Sequence, residues 1–240
     1  MNYKAILFGS IGTLIETSDL QRESFNEAFK EAGLDWYWDQ EDYRLLLKQS
    51  GGTKRIEDFA EKNNTTVEAQ KIRERKTHIF NQKLMTEKLM PREGVIDVIE
   101  YAKNNQLKLG FVTSTTKDNV NSVFLALKNY FTEEDFDFVG NNTMVQNPKP
   151  HSDIYIEAIK RLNREANECI AIEDSRESAL SAHNAKIPCI AFPGSFHEED
   201  NYDFCSKMTL KLDTSIFNYC LLYTSPSPRD TSGSRMPSSA

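Results

Sequence analysis

The sequence predicts an α/β protein built on a doubly wound parallel sheet, with an all-helical segment inserted after the first strand. Three observations lead to this prediction. An apolar run opens the chain at 5–8 and is followed at once by glycine and hydroxyl residues. From about residue 91 onwards, short apolar runs alternate with amphipathic runs, as in a parallel sheet covered by helices. Between these two parts, apolar residues recur at helical spacing and no strand signal appears.

The inserted segment begins at a capping-box pattern, Ser18-Asp19-Leu20-Gln21, which predicts a helix N-terminus. Further helices are predicted over 42–49, 55–62 and 67–84. The second part of the chain alternates predicted helices with predicted strands. The helices span 95–104, 119–127, 154–162 and 177–185, and the strands span 108–112, 136–139, 169–172 and 188–192. We therefore expect an α/β core made of 1–15 and 90–219, and a helical cap made of 16–89.

Segment 220–240 differs from the rest of the chain. Its sequence is what a sequencing adapter would encode if it were translated in frame, although its composition also fits an ordinary Ser/Pro-rich tail. We predict that this segment is not native, and we exclude it from the fold prediction.

Composition narrows the range of functions. With 29 basic and 36 acidic residues, the 240-residue chain has a net charge of −7, which disfavours nonspecific binding to nucleic acid or to anionic membranes. Outside the tail the cysteines are Cys169, Cys189 and Cys205, an odd number without metal-ligand spacing. No targeting segment is apparent, so we expect a cytoplasmic protein with reduced thiols.

Three groups of polar residues follow predicted strands of the core. Because ligands bind beyond the carboxyl ends of parallel strands, we expect these groups to line one site. Each group alone is also typical of ordinary helix caps and solvated loops. In chain order they are Thr113, Ser114 and Thr115, then Lys149 and Pro150, then Glu173 and Asp174.

Together with the opening run, these groups resemble the four motifs of the haloacid dehalogenase (HAD) superfamily. Motif I of that superfamily is Asp-x-Asp-Gly-Thr-Leu, and this chain has Gly9-Ser10-Ile11-Gly12-Thr13-Leu14. The resemblance implies an HAD-like core in which Ser114 and Lys149 bind the phosphoryl group. It also implies that Asp174 binds Mg²⁺ with help from Glu173.

The two aspartates of motif I, the nucleophile and the general acid/base of the superfamily, are replaced here by Gly9 and Ile11. Neither side chain can attack phosphorus or move a proton, so we expect no intact catalytic residue. Loss of a nucleophile lowers turnover by about 10⁶ in a serine protease, or about 8 kcal/mol of barrier. Ser10 is expected to point away from the site, since side chains alternate along a strand. Mg²⁺ binding is expected to be weakened, because the missing nucleophile is normally a ligand.

The cap is most similar to that of the CbbY-type sugar-phosphate phosphatases, which act on substrates that include xylulose 1,5-bisphosphate. Three segments carry this similarity, beginning at Phe25, Gly33 and Gly51. The third resembles a Gly-Gly segment that holds the distal phosphate in that group. Glycines let backbone N–H groups approach an anion, and cations supply charge. The alternative is that the two glycines only separate two helices. The predicted phosphate-binding residues of this segment are Gly51, Gly52, Thr53, Lys54 and Arg55.

Three functions remain open at this point. The first is a phosphorylated-sugar binding protein with little or no phosphatase turnover, in effect a pseudoenzyme. The second is an active Mg²⁺-dependent phosphatase that uses metal-activated water. The third is a partner-binding scaffold with a vestigial pocket, which the retained Lys149, Glu173 and Asp174 disfavour. The expected ligand is a sugar phosphate such as a pentulose bisphosphate.

Overall fold

The computed structural model of the chain describes residues 3–48 and 51–219. The segment that we predict to be adapter-derived, 220–240, lies outside the described residues. None of the helices within the described ranges combines the length and the apolar character that a membrane span requires.

A six-stranded sheet, parallel throughout, forms the centre of the molecule and confirms the predicted fold class. The strand order is β3-β2-β1-β4-β5-β6, so the chain crosses from one side of β1 to the other between β3 and β4. The last strand was not predicted, because two residues are too few to produce an alternating pattern. The strands are β1 (Ala5–Phe8), β2 (Lys108–Phe111), β3 (Phe138–Val139), β4 (Cys169–Glu173), β5 (Cys189–Ala191) and β6 (Lys207–Met208).

The helices follow the predicted order, with different ends at several places. The capping side chains set some of these ends: Asp39 accepts from the Asp42 N–H, and Thr116 accepts from the Asn119 N–H. The predicted end at residue 49 lies outside the described residues. The helices are α1 (Ile11–Leu14), α2 (Ser18–Glu31), α3 (Gln40–Leu46), α4 (Gly52–Lys62), α5 (Ala69–Thr86), α6 (Val95–Asn104), α7 (Lys117–Ala126), α8 (Asp153–Leu162), α9 (Arg176–Asn184) and α10 (Ile216–Tyr219).

The central strands are buried on both faces, as expected for a sheet that has helices on both sides. In β1, Ile6 and Phe8 belong to one apolar cluster, and Ala5 and Leu7 belong to the cluster on the opposite face. In β4 the same alternation puts Ala171 in the cluster that contains Leu7. On that same face, the positions two residues beyond Leu7 and Ala171 belong to the candidate site.

Helices α2 to α5, which lie between β1 and β2 in the chain, pack around a third, aromatic cluster. Trp38 is fully buried at its centre, with its ring centroid 4.6 Å from that of Phe29 and 4.9 Å from that of Phe25. Phe196, from the loop after β5, joins this cluster 5.8 Å from the ring of Tyr43. Edge-to-face contacts of this kind stabilise a small core beyond its area burial. The cluster holds the α2 to α5 helices together above the carboxyl end of the sheet.

Candidate functional site

The end of β1 lies beside the end of β4. Of the two positions that face each other there, one is a glycine and has no side chain. Gly9 directly follows β1, and its N–H donates to the Ile172 carbonyl of β4 at 2.9 Å. Because Phe8 is the register partner of Ile172, the following residues Gly9 and Glu173 are neighbours on one face. A Cβ atom at position 9 would overlap the carboxyl group of Glu173. The Glu173 side chain therefore fills the space that a side chain at position 9 would need.

The Glu173 carboxylate is completely buried and is held by three donors. Its Oε1 accepts from the Lys149 Nζ at 2.5 Å and from the Tyr155 hydroxyl at 2.5 Å. Its Oε2 accepts from the Ser10 N–H at 3.3 Å. Burial raises the pKa of the Glu173 carboxyl, and the charge of Lys149 acts in the opposite direction. A buried carboxylate of this kind requires such partners, because an unpaired buried charge is strongly destabilising.

Ser114 lies at the same point of the sheet, where β2 ends. Its hydroxyl oxygen accepts from the Lys149 N–H at 3.4 Å. The neighbouring hydroxyl of Thr115 accepts from the Asn119 side chain at 2.7 Å, which is a contact within its own loop and helix. The structure thus brings together Ser114, Lys149 and Glu173, three of the residues that the sequence predicted for one site.

Asp174 is directed differently from Glu173 and lines a cavity. Its Oδ1 accepts a hydrogen bond from the Ser10 hydroxyl. The expectation that Ser10 points away is wrong, because β1 ends at Phe8 and Ser10 is the N-cap of α1, where strand alternation no longer applies. Gly12 leaves room for this arrangement, since a Cβ atom there would overlap the Asp174 carboxyl.

The cavity beside Asp174 has a volume of about 150 Å³ and lies between the end of the sheet and the helices of the aromatic cluster. Three cationic side chains line it, from α4 and α5: Arg55, Arg73 and Lys76. A second cavity of about 470 Å³ shares Arg55 and His197 with it. The arrangement places several positive groups on the side of the cavity opposite the sheet, where an anion would be stabilised.

The two arginines of the cavity wall donate hydrogen bonds to neutral groups, and Arg55 also interacts with the charge of Glu177. The Arg55 Nε donates to the Leu46 carbonyl at 2.9 Å. The Arg73 guanidinium donates to the Thr77 hydroxyl at 2.8 Å. Burial lowers the pKa of both guanidinium groups. Within the described residues neither Arg73 nor Lys76 forms an ion pair with a carboxylate. Their charges are therefore not neutralised by the described part of the protein.

The remaining predicted residues of the Gly-Gly segment separate into two groups. Gly52 lines the cavity, and a Cβ atom there would overlap the Arg73 guanidinium, so glycine allows that guanidinium its position. Lys54 lies elsewhere, with a side chain that is 64% exposed and an ion pair to Asp58. The Thr53 hydroxyl donates to the Gln70 side chain at 3.2 Å. Gly51 is the exposed N-cap of α4, with φ of 91°. Of the two predicted cations, the structure thus places only Arg55 in the cavity wall.

In the described part of the chain, the carboxylates at the end of the sheet offer few ligands for Mg²⁺ by themselves. The described residues contain no cluster of three or more histidine, cysteine or acidic side chains able to hold a metal ion. Glu173 is fully buried and engaged by Lys149 and Tyr155, which leaves Asp174 as the carboxylate that faces the cavity. Mg²⁺ is usually held by one or two carboxylates together with a substrate phosphate. This donor set thus does not suit Mg²⁺ unless a phosphate is also present.

Sequence reasoning missed several residues of the site. Lys76 carried a detectable signal, because it interrupts the apolar stripe of α5 between Ile72 and Ile79, where a charge is rare. Tyr155 carried no such signal, since a tyrosine on a buried helix face is ordinary.

Arg92 was also missed. Its guanidinium donates to the carbonyls of Gly12 at 2.9 Å, of Phe192 at 2.8 Å and of Pro193 at 2.5 Å. It therefore joins the loop after β5 to α1.

Comparison with known sequences identifies the family and relatives that this chain resembles. The family profile described as "Haloacid dehalogenase-like hydrolase" matches residues 6–192. Protein CbbY of Cereibacter sphaeroides is 35% identical over 201 residues, which cover 82% of this chain and 87% of that protein.

Solved structures give a similar result. CbbY from Rhodobacter sphaeroides in complex with phosphate superimposes with a TM-score of 0.78 and 32% identity. The match covers 87% of this chain and 94% of that one. A mutant of the same protein in complex with xylulose-(1,5)bisphosphate matches with the same TM-score, identity and coverage.

Proposed function

The chain belongs to the haloacid dehalogenase-like hydrolase family, and on that premise we propose that it binds a phosphorylated sugar while releasing little or no phosphate from it. One observation carries the second half of the proposal. The carboxylate of Glu173 fills the space beside Gly9 and is bonded to Lys149 and Tyr155. The place of a nucleophilic side chain is therefore taken by a carboxylate that is fully buried and already has its partners.

Turnover would need a new nucleophile or an activated water. Glu173 is poorly suited to attack, because a nucleophile must reach the phosphorus atom and this carboxylate is sealed from solvent. Ile11 offers no group for proton transfer to the leaving oxygen. Asp174, which follows β4, lines the cavity, and its carboxylate accepts a hydrogen bond from the Ser10 hydroxyl. We therefore expect a protein whose site holds its ligand unchanged.

The cationic cavity supports a phosphorylated ligand. Arg55, Arg73 and Lys76 line one wall, and Lys149 and Ser114 lie at the end of the sheet. We propose that the core, 1–15 and 90–219, and the cap, 16–89, each contact one phosphate of a bisphosphate. The CbbY mutant with bound xylulose-(1,5)bisphosphate points to a pentulose bisphosphate as the first ligand to test. The sugar itself would lie near Asp174, between the cations of the cavity wall and the pair Lys149 and Ser114.

Binding is tested by isothermal titration calorimetry of the whole chain with xylulose 1,5-bisphosphate, without Mg²⁺. Arg73→Gln removes a cation of the cavity wall, and Arg75→Gln is a matched control on the same helix, where Arg75 pairs with Glu31. A charge-assisted hydrogen bond contributes about 1.5–3 kcal/mol, so Arg73→Gln should weaken binding by roughly tenfold to about a hundredfold. The control should bind as the unaltered protein does. Equal losses in both variants, or no binding by the unaltered protein, would contradict the proposal.

Turnover is tested in parallel by measuring phosphate release in the presence of Mg²⁺. We expect binding without release. Release by the unaltered protein that disappears in Asp174→Ala would instead establish the active phosphatase that uses metal-activated water. Restoring the motif creates a steric overlap, because Gly9→Asp/Ile11→Asp introduces a side chain where Glu173 lies. The restored variant should therefore be made both with and without Glu173→Ala.

A further inference from the structure

Lys76 is an unusual lysine because it is almost completely buried without a carboxylate. The residue is 2% exposed. Its ammonium group donates to the Gln21 side-chain carbonyl of α2. It lies 4.9 Å from the ring centroid of Phe25 and 4.8 Å from that of Phe80. A neutral amide and two aromatic faces stabilise an ammonium group only partly compared with water.

The other groups that line the cavity further disfavour the ammonium form of Lys76. Its charged or titratable walls are Tyr43 from α3, Arg55 from α4 and Arg73 from α5, with Asp174 and His197 from the loops after β4 and β5. The helix α2 contributes the neutral Gln21. Burial, and then the charges of Arg73 and Arg55, lower the pKa of Lys76 well below its ordinary value. The cavity by itself therefore makes the ammonium form of Lys76 less stable than that of an exposed lysine.

We propose that a phosphate dianion entering this cavity is bound together with a proton, which Lys76 takes up. The inference rests on the proposed function and adds the coupling of ligand affinity to pH. A dianion adds negative charge next to the cations of the cavity wall, and so it favours the ammonium form of Lys76 over the amine. Proton uptake and ligand binding then strengthen each other, as linkage requires.

The direction of the pH effect follows from this coupling. The ligand prefers protonated Lys76, so affinity is highest below the pKa of Lys76 in the free protein. It decreases, by up to about tenfold per pH unit, as the pH rises through that pKa. It levels off above the pKa of Lys76 in the complex. The ligand itself titrates lower, because the second pKa of a phosphate monoester is about 6. Measurements at about pH 8 therefore separate protonation of the protein from protonation of the ligand.

The test is calorimetry of the whole chain with xylulose 1,5-bisphosphate at about pH 8, in phosphate-free buffers with different ionisation enthalpies. The dependence of the observed heat on buffer ionisation enthalpy gives the number of protons taken up. We expect between about 0.3 and 1 proton per ligand for the unaltered protein. Lys76→Arg should reduce the uptake to near zero, because a guanidinium is charged at every accessible pH. Lys71→Arg, an exposed position on the same helix, is the matched control and should keep the uptake.

The outcomes separate this inference from the proposed function. Tight binding without proton uptake overturns the inference and leaves the proposed function intact, whereas no binding overturns both. Uptake that persists in Lys76→Arg but disappears in His197→Gln assigns the proton to His197 and also overturns the inference. Because Lys76→Arg enlarges a buried side chain, its folding is checked by thermal melting. If that variant does not fold, Lys76→Met is measured instead and should likewise lose the uptake.

Discussion

Gly9→Asp, the substitution that restores the first family aspartate, is expected to destabilise the protein by about 3–6 kcal/mol. If Glu173 stays in place, the new side chain overpacks a filled space, which costs about 1–3 kcal/mol. It also brings two carboxyl groups together in a buried site, where they cannot both ionise. Holding one of them protonated at neutral pH requires a pKa about 3 units above the ordinary carboxyl value, or about 4 kcal/mol.

The aspartate is also accommodated if Glu173 moves, and the expected loss of unfolding free energy is then similar. Glu173 would then lose its hydrogen bonds to Lys149 and Tyr155, both formed at 2.5 Å. Hydrogen bonds to charged groups contribute about 1.5–3 kcal/mol each, so their loss also costs about 3–6 kcal/mol. The measurement is urea unfolding followed by tryptophan fluorescence at neutral pH. Gly9→Ala should show only the packing part of the effect, about 1–3 kcal/mol.

A double-mutant cycle with Glu173→Ala tests the physical reason. Alone, Glu173→Ala leaves the buried Lys149 unpaired and should cost about 3–5 kcal/mol. In the double variant the aspartate introduced at position 9 can pair with Lys149 in place of the lost glutamate, so most of both losses should be recovered. The interaction energy should therefore be large and stabilising, above about 3 kcal/mol. Effects that add to within about 0.5 kcal/mol would refute the conclusion that the two carboxyl groups compete for one space.

Two further substitutions test the walls of the site. Gly52→Ala places a methyl group against the Arg73 guanidinium, so bisphosphate affinity measured by calorimetry should decrease about tenfold or more; unchanged affinity would contradict the placement of Arg73. Lys149→Met leaves Glu173 buried without its cation and should cost about 3–5 kcal/mol near neutral pH. Because burial raises the pKa of Glu173, stability associated with this carboxyl is fully present below its unfolded pKa of about 4.3 and is lost as the pH rises through the folded pKa. The Lys149→Met deficit, measured by urea unfolding, should therefore shrink towards acid pH; a deficit independent of pH would contradict the buried pair.

The sequence predicted the sheet and its helices well, because long segments of clear periodicity determine them. The strands at 108–112 and 169–172 appear with ends shifted by one residue, as β2 and β4. The short elements α1 and β6 were not predicted, because two to four residues carry too little pattern. Helix starts shifted where a capping side chain, such as Thr116, lies before the first apolar residue.

The candidate site was predicted where residues lie in the loops beyond the strand ends, and missed where residues act across elements. Ser114 and Lys149 follow from their place in the chain and lie together as expected. That Glu173 fills the empty place of Gly9 depends on the register of two strands far apart in sequence, which no local pattern contains. Arg73 lies where a side chain at position 52 would overlap its guanidinium, so its position depends on the close approach of Gly52. Both contacts form between different elements of the fold, so no pattern along the sequence predicts them.

The two groups of charged residues differ in what they indicate about function. Glu173 and Lys149 satisfy each other, and removing either one leaves a buried charge. Such a pair would be retained for stability alone, so its presence does not distinguish a working site from a vestigial one. Arg73 and Lys76 are different, because in the described part of the chain no carboxylate is paired with them. Cationic groups that are buried or half-buried without a carboxylate destabilise the protein, and a bound anion offsets this cost. The cations of the helical wall therefore indicate a ligand more strongly than the retained acids of the sheet do.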